Sequence, residues 1–316
     1  MANQELTQRT QAAQALVAEQ KSLRDSRSVA QMAWERFRRD RLAVIGGVVM
    51  LLLLAVSISA PLLAEKVIGY TPAAIELGAI LKAPGYQHPV TGNRHLLGTD
   101  DLGRDVLTRA IYGGRVSLYV SFLTVVVAIT VGTLVGAVAG YFGGAVDALL
   151  MRIVDVVISV PALFLLILIS AMFQPGVTGL SLVLASLSWT GVSRLVRAEF
   201  LSIRERDYVS AARVMGAGNG RIILRHILPN ATSPIIVAAT LSLGNVILTE
   251  TALSFLGMGV RPPTPSWGNM LTQAQTYLYS APFLIVIPGF FIFITVLAAN
   301  LMGNGLRDAL DPRMSE

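Results

Sequence analysis

The sequence predicts an all-α, polytopic membrane protein with six transmembrane helices and a compact basic hairpin between the fourth and fifth. Three observations lead there. The chain is 53% hydrophobic and only 14% charged, against about 25% charged residues in ordinary globular domains. Its uncharged runs are long: Leu42–Leu63, Val116–Val146, Val156–Ser193, Ala231–Thr249 and Pro262–Leu306. Its basic residues gather in particular connections rather than spreading evenly.

A spanning helix needs roughly 20 apolar residues. Val156–Ser193 is too long for one span, and "QPGVTG" (Gln174–Gly179) divides it. The expected spans are 42–63, 115–139, 149–172, 179–198, 232–256 and 283–303. The first apolar run opens only after residue 41 and is a full span, unlike the short core of a secretory signal.

Orientation follows from Arg and Lys. The tail 1–41 carries eight of them, and Arg194–Arg225 carries seven arginines. The turn near Gln174 has none, and the loop 259–282 has only Arg261. Residues 64–114 have five, balanced by Glu65, Glu76, Asp100, Asp101 and Asp105. Both termini, and the loop 199–230, are therefore expected on the cytoplasmic side of a bacterial inner membrane. Residues 64–114 form an extracytoplasmic loop, 115–304 the five-helix core, and 305–316 a short tail. The net charge of +6 reads as this inside bias, not as nucleic-acid binding.

Along the chain, residues 1–32 are rich in Gln, Ala and Ser and read as a surface helix or a disordered tail. "WERFRRDR" (Trp34–Arg41) puts an aromatic and a basic cluster before the first span, an interfacial anchor. Gly132, Gly136 and Gly140 make a small-residue stripe that lets another helix approach closely, in this chain or a neighbouring one. Pro161, Pro234 and Pro288 fall in or near spans, and each removes an intrahelical hydrogen bond.

The loop between spans four and five reads "DYVSAARVMGAGNGRIILRHILPN". Asp207 is a candidate N-cap, and 208–216 a first helix with Ser210, Ala211 and Ala212 on a small face. Gly216, Gly218, Asn219 and Gly220 stop it. Residues 221–228 form a second helix, which Pro229 ends. "GAGNG" fails the G-x-G-x-x-G spacing because position 221 is Arg. Spans on both sides keep the hairpin from entering a DNA groove. A docking knob for a cytoplasmic partner fits best, with arginines supplying directed polar contacts.

Chemistry is sparse. The absence of cysteine excludes disulfides and thiolate sites, and three histidines support no metal site. No catalytic set stands out. The lysines, Lys21, Lys66 and Lys82, follow no glycine, so no phosphate-binding G-x4-G-K-[ST] loop exists. Glu250 is an acidic residue inside an apolar span, a costly placement that marks either a substrate pathway or a hydrogen-bonded helix clamp. Asp100, Arg104 and Asp105 in "GTDDLGRD" are candidates for an outer gate or a binding-protein contact, or for local caps and ion pairs. Arg261–Gly268 is stiffened by prolines and is expected at the same mouth.

The 207–230 loop resembles the EAA loop of ATP-binding-cassette (ABC) importer permeases. That pattern is Glu-Ala-Ala, three residues, Gly, nine residues, Ile, one residue, Leu-Pro. Ala211, Ala212, Gly216, Leu228 and Pro229 match, while Ser210 replaces the glutamate and His226 the isoleucine. "FRRDRLAVIG", "HLLGTDDLGRDVLTR", "SFLGMGVRPPTPSWGNML" and "NLMGNGLRDALDP" resemble the C-type permease of dipeptide, oligopeptide and nickel importers, over roughly residues 33–313.

The resemblance implies a permease that is not itself an enzyme and binds no cofactor. It implies a homologous second permease, two cytoplasmic ATPases holding ATP and Mg, and an extracytoplasmic binding protein. It makes the hairpin a coupling helix, with Gly216 at the closest approach, Ala212 one turn before it, and Arg213 paired with the ATPase. Peptide is the first substrate choice and nickel the second. The rivals are an intramembrane enzyme using Glu250 with Ser254 or an aspartate, and a passive channel.

Overall fold

The computed structural model describes residues 29–310. Residues 1–28 and 311–316 lie outside the described part, and with them most of the N-terminal segment read as surface helix or disorder. Regular secondary structure in the described part is helical apart from one short hairpin, β1 (Tyr86–Gln87) with β2 (Arg94–His95), and the loops 69–105 and 256–266 are otherwise irregular. α1 (Val29–Arg39) precedes α2 (Arg41–Ile58), which continues through α3 (Ala60–Leu63) and a π-turn, Ala64–Ile68. Asp40 separates α1 from α2 and caps the latter, accepting from the Leu42 and Ala43 amides.

After the outer loop come α4 (Val106–Phe142), α5 (Gly144–Ser159), α6 (Ala162–Phe173) and α7 (Val177–Arg204). The loop hairpin is α8 (Asp207–Val214) and α9 (Asn219–Ile222), leading through a π-turn (Ile223–Ile227) into α10 (Leu228–Phe255). α11 (Trp267–Ala274) and α12 (Phe283–Leu310) complete the chain. Among the described residues five helices are long and apolar enough to cross a membrane, and the bent pair α5–α6 makes a sixth span if counted as one.

Several boundaries differ from the sequence reading. α4 starts nine residues before the expected 115, because Asp105 caps it and "VLTRAIYGG" has nothing to break a helix. The third span is not straight: α5 and α6 meet at 78°, where Val160 is extended and Pro161 starts the next helix. A residue before proline is pushed from helical backbone. Pro229 does not end a helix; it sits in the first turn of α10, where its missing N–H costs least. Asp207 is not the N-cap. Arg206 holds that place with extended backbone, and Asp207 is the first helical residue, where its charge still favours the dipole. Of the four residues expected to stop α8, only Gly216 has positive φ, +83°; Gly218 is extended and Asn219 and Gly220 are already helical.

The glycine stripe packs inside the chain. Cβ atoms added at Gly132, Gly136 and Gly140 would lie 2.5–2.8 Å from Val192, the Ser193 carbonyl, and Phe200 or the Arg197 carbonyl, so α4 and α7 touch backbone to backbone. Gly46 of α2 meets the Ala298 carbonyl of α12 in the same way. Inward of this contact, Tyr141, Val196, Phe200, Val209, Ile222 and Ile227 form one buried cluster, which fuses the hairpin to the ends of α4 and α7.

Candidate functional site

The hairpin has two faces. Val209, Ile222 and Ile227 point into the cluster, Ala212 is buried as well, and Asn219 accepts a hydrogen bond from the Tyr141 hydroxyl at 2.8 Å. Arg204 donates to the Gly140 carbonyl at 2.9 Å, closing the base of the hairpin on α4. Ser210, Ala211, Arg213 and Gly216 are exposed, as is Pro229, and Leu228 is half-buried. The tip is the unexpected part. Val214 is 89% exposed and Met215 81% exposed, with Tyr208 and Leu224 also open and Arg206, Arg213, Arg221 and Arg225 around them. This apolar tip with a cationic rim sits on a hairpin whose base is rigidly held. Sequence reading weighted the small residues and missed Val214 and Met215; an apolar pair immediately before the turn glycine was the available signal.

Ala212 is 2% exposed. Its Cβ packs within the chain, so it supports the hairpin and does not share an outward face with Gly216. A large side chain there would disrupt the hairpin itself.

Glu250 is fully buried. Its carboxylate accepts from the Ser254 hydroxyl at 2.7 Å and the Ser117 hydroxyl at 3.1 Å. Ser117 in turn accepts from the Trp267 amide, and Ser254 from the Val260 amide. The group thus ties α4, α10 and the start of α11 together, and this geometry is that of a clamp.

The residues expected at the outer mouth form a second buried network. Asp100 accepts from the Arg104 amide and from Arg104 Nε at 2.9 and 2.7 Å, and faces Arg109 Nε at 3.2 Å. Arg104 and Arg109 both donate to Gln273 of α11 at 3.2 Å. Asp105 caps α4 through the Thr108 amide at 2.7 Å and also meets His95 Nδ1 at 2.9 Å. Glu76 meets the other ring nitrogen of His95 at 2.7 Å. Burial pushes the Glu76 carboxyl up, but hydrogen bonds from Thr91 and His95 and the nearby His88 leave it below the usual carboxylate range. Burial first, and then the charges of Glu76 and Asp105, push the Tyr70 phenol up to about 12. Ser266 caps α11 in a reciprocal box with Asn269, which also donates to the Val260 and Thr264 carbonyls, so the proline loop is fixed to the same end.

Residues 132–316 match the family described as binding-protein-dependent transport system inner membrane component. The chain belongs to that family. Its residues 28–84 also match the N-terminal transmembrane domain of oligopeptide transport permease C. Among curated relatives of this permease, the dipeptide transport system permease protein DppC of Escherichia coli is 44% identical over 286 residues, 90% of this chain and 94% of that one. The DppC protein of Haemophilus influenzae is 39% identical over 287 residues, 90% and 95% of the two chains. The di/tripeptide permease DppC of Pseudomonas aeruginosa is 40% identical over 281 residues, 89% and 91%. Among solved structures, the inward-facing MetNI methionine ABC transporter shares the fold, with a TM-score of 0.55 at 19% identity over 65% of this chain and 97% of the other.

Proposed function

We propose that this binding-protein-dependent permease is the C-type subunit of an ATP-driven peptide importer, forming half of the translocation pathway. The observation that carries the coupling role is the hairpin: an exposed apolar tip on a segment that also exposes four arginines, with a base fused to two long helices. Such a tip fits a groove on a soluble partner, and its buried base passes rigid-body motion into α4 and α7. The cytoplasmic partner is a pair of ATPases, which bind ATP and Mg; this chain performs no catalysis. A homologous permease completes the pathway, and an extracytoplasmic binding protein supplies substrate to the side carrying the buried outer network. The basic 1–41 and 194–225 segments support cytoplasmic termini in a bacterial inner membrane.

The peptide assignment is supported by the names of the relatives. Its test is uptake. Introduced with its partner subunits into cells lacking peptide importers, the complex is expected to restore ATP-dependent uptake of labelled dipeptides or tripeptides. Nickel uptake without peptide uptake, or peptide flux in vesicles without the ATPases, would overturn it.

A further inference from the structure

The outer loop contains a charged cluster to which the proposed transport role assigns no part. His95 is fully buried, and both ring nitrogens face carboxylates: Nε2 lies 2.7 Å from Glu76 Oε2, and Nδ1 2.9 Å from Asp105 Oδ2. A neutral imidazole has one N–H and one bare lone pair. Between two ionised carboxylates, the bare nitrogen would face an oxygen lone pair at hydrogen-bond distance. The imidazolium donates to both. Tyr70 stacks on the ring at 4.7 Å, with its hydroxyl 3.5 Å from Nε2, and Tyr86 lies nearly parallel to it at 6.3 Å, under Lys82. His88 lies 3.7 Å from the second oxygen of Glu76.

The cluster joins separate pieces of backbone. Glu76 also accepts from the Thr91 hydroxyl at 2.5 Å and from Asn93 at 3.3 Å, in the connection between β1 and β2. Asp105 begins α4. The path Glu76–His95–Asp105 therefore runs from the loop hairpin to the first turn of the longest helix.

We propose that Glu76, His95 and Asp105 form a proton-dependent latch, which holds the outer loop on α4 while His95 carries both ring protons and loosens when it loses one. The sign follows from the geometry. Losing a ring proton turns one charge-assisted bond into a repulsion, so the latch weakens on the alkaline side. The proposal rests on the outward placement of this loop only for which compartment's pH it senses.

Hydrogen exchange on the full chain in nanodiscs, where both faces share one pH, tests the latch independently of topology and of substrate. The reporters are the Gly85 amide, which donates to the His95 carbonyl, and the Thr99 amide, which donates to the Lys82 carbonyl. Their protection factors are expected to fall as the pH is raised from mildly acidic to alkaline, by about tenfold or more, the loss of one hydrogen bond to a charged group. His95→Gln should show no such fall. Glu76→Gln is the decisive variant. Its amide can donate to Nε2 of a neutral ring while Nδ1–H still meets Asp105, so protection should persist on the alkaline side. Asp105→Asn, which preserves a good N-cap, should do the same through the other nitrogen. Constant protection in the wild type, or loosening of both carboxamide variants as in the wild type, would overturn the proposal.

Discussion

At the end expected to face outward the molecule turns its charges inward: Asp100, Arg104, Asp105 and Arg109 are all buried and paired within the chain. At the end expected to face the cytoplasm it turns them outward, beside an apolar tip that none of the described residues covers. Both regions are polar connections between greasy spans, so composition does not separate them. Satisfaction does. Asp100, Arg104, Asp105 and Arg109 find hydrogen-bond or ion-pair partners within the chain and so read as a rigid cap. The inner hairpin satisfies its base and leaves its tip open, which is the arrangement of a surface awaiting a partner. Substitutions should accordingly damage folding at the outer end and association at the inner end.

The largest effect is expected at Asp105. Asp105→Ala removes the side-chain cap of α4 and strands the buried Nδ1–H of His95 without its acceptor, while Glu76 still offsets the charge of the ring. A buried donor left unsatisfied costs about 1–3 kcal/mol and a lost cap about 1 kcal/mol more, and thermal unfolding of the purified chain should show the sum. An exposed inner charge such as Arg213→Ala should leave the same melting curve unchanged. A comparable loss at both positions would erase the distinction between the ends.

Next comes the helix contact between them. Gly136→Val would push Cβ onto the Ser193 carbonyl and Val196, and overpacking of this kind costs about 1–3 kcal/mol. Gly191→Ala on α7 meets nothing within 4 Å and serves as the control. Equal yields and melting temperatures for both would argue against the close α4–α7 approach.

Glu250 sharpens the comparison inside the membrane. Glu250→Ala strands the hydroxyl donors of Ser117 and Ser254, at about 1–3 kcal/mol. Glu250→Gln retains polar partners and should recover most of the stability along with near-normal transport. A stable, assembled Glu250→Gln complex that fails to transport would instead assign the carboxylate to the pathway.

The smallest effect is the acid side of the outer cap. Glu76 is held below the usual carboxylate range. Its contribution is therefore complete above that range and lost as pH falls through the lowered value. Exchange protection around Thr91 and Asn93 should decline only on strong acidification, and Glu76→Gln should remove that acid dependence.

Much of this was legible in the residues. Uncharged runs give the spans, and Pro161, Asp105 and the glycine stripe carry local meanings that the structure places. What sequence could not supply was direction. Ala212 and Gly216 are one turn apart, yet Ala212 is buried and Gly216 open, because the hydrophobic cluster rotates α8 onto its Val209–Ala212 side. Glu76, His95 and Asp105 are scattered along thirty positions. Only the folded loop brings the three together, and "HLLGTDDLGRD" alone gives no sign that its histidine bridges two acids.

The central claim is that the exposed hairpin tip seats the ATPases, and it is tested most directly with Val214→Asp and Met215→Asp combined. These side chains touch little of their own chain, so expression, membrane insertion and pairing with the second permease should stay normal. Co-purification of the ATPases and substrate-stimulated ATP hydrolysis in reconstituted membranes should both fall, by tenfold or more if the tip is the buried centre of the contact, where single residues are worth about 2 kcal/mol or more. Full ATPase retention and normal stimulated hydrolysis in a well-folded double variant would contradict the account.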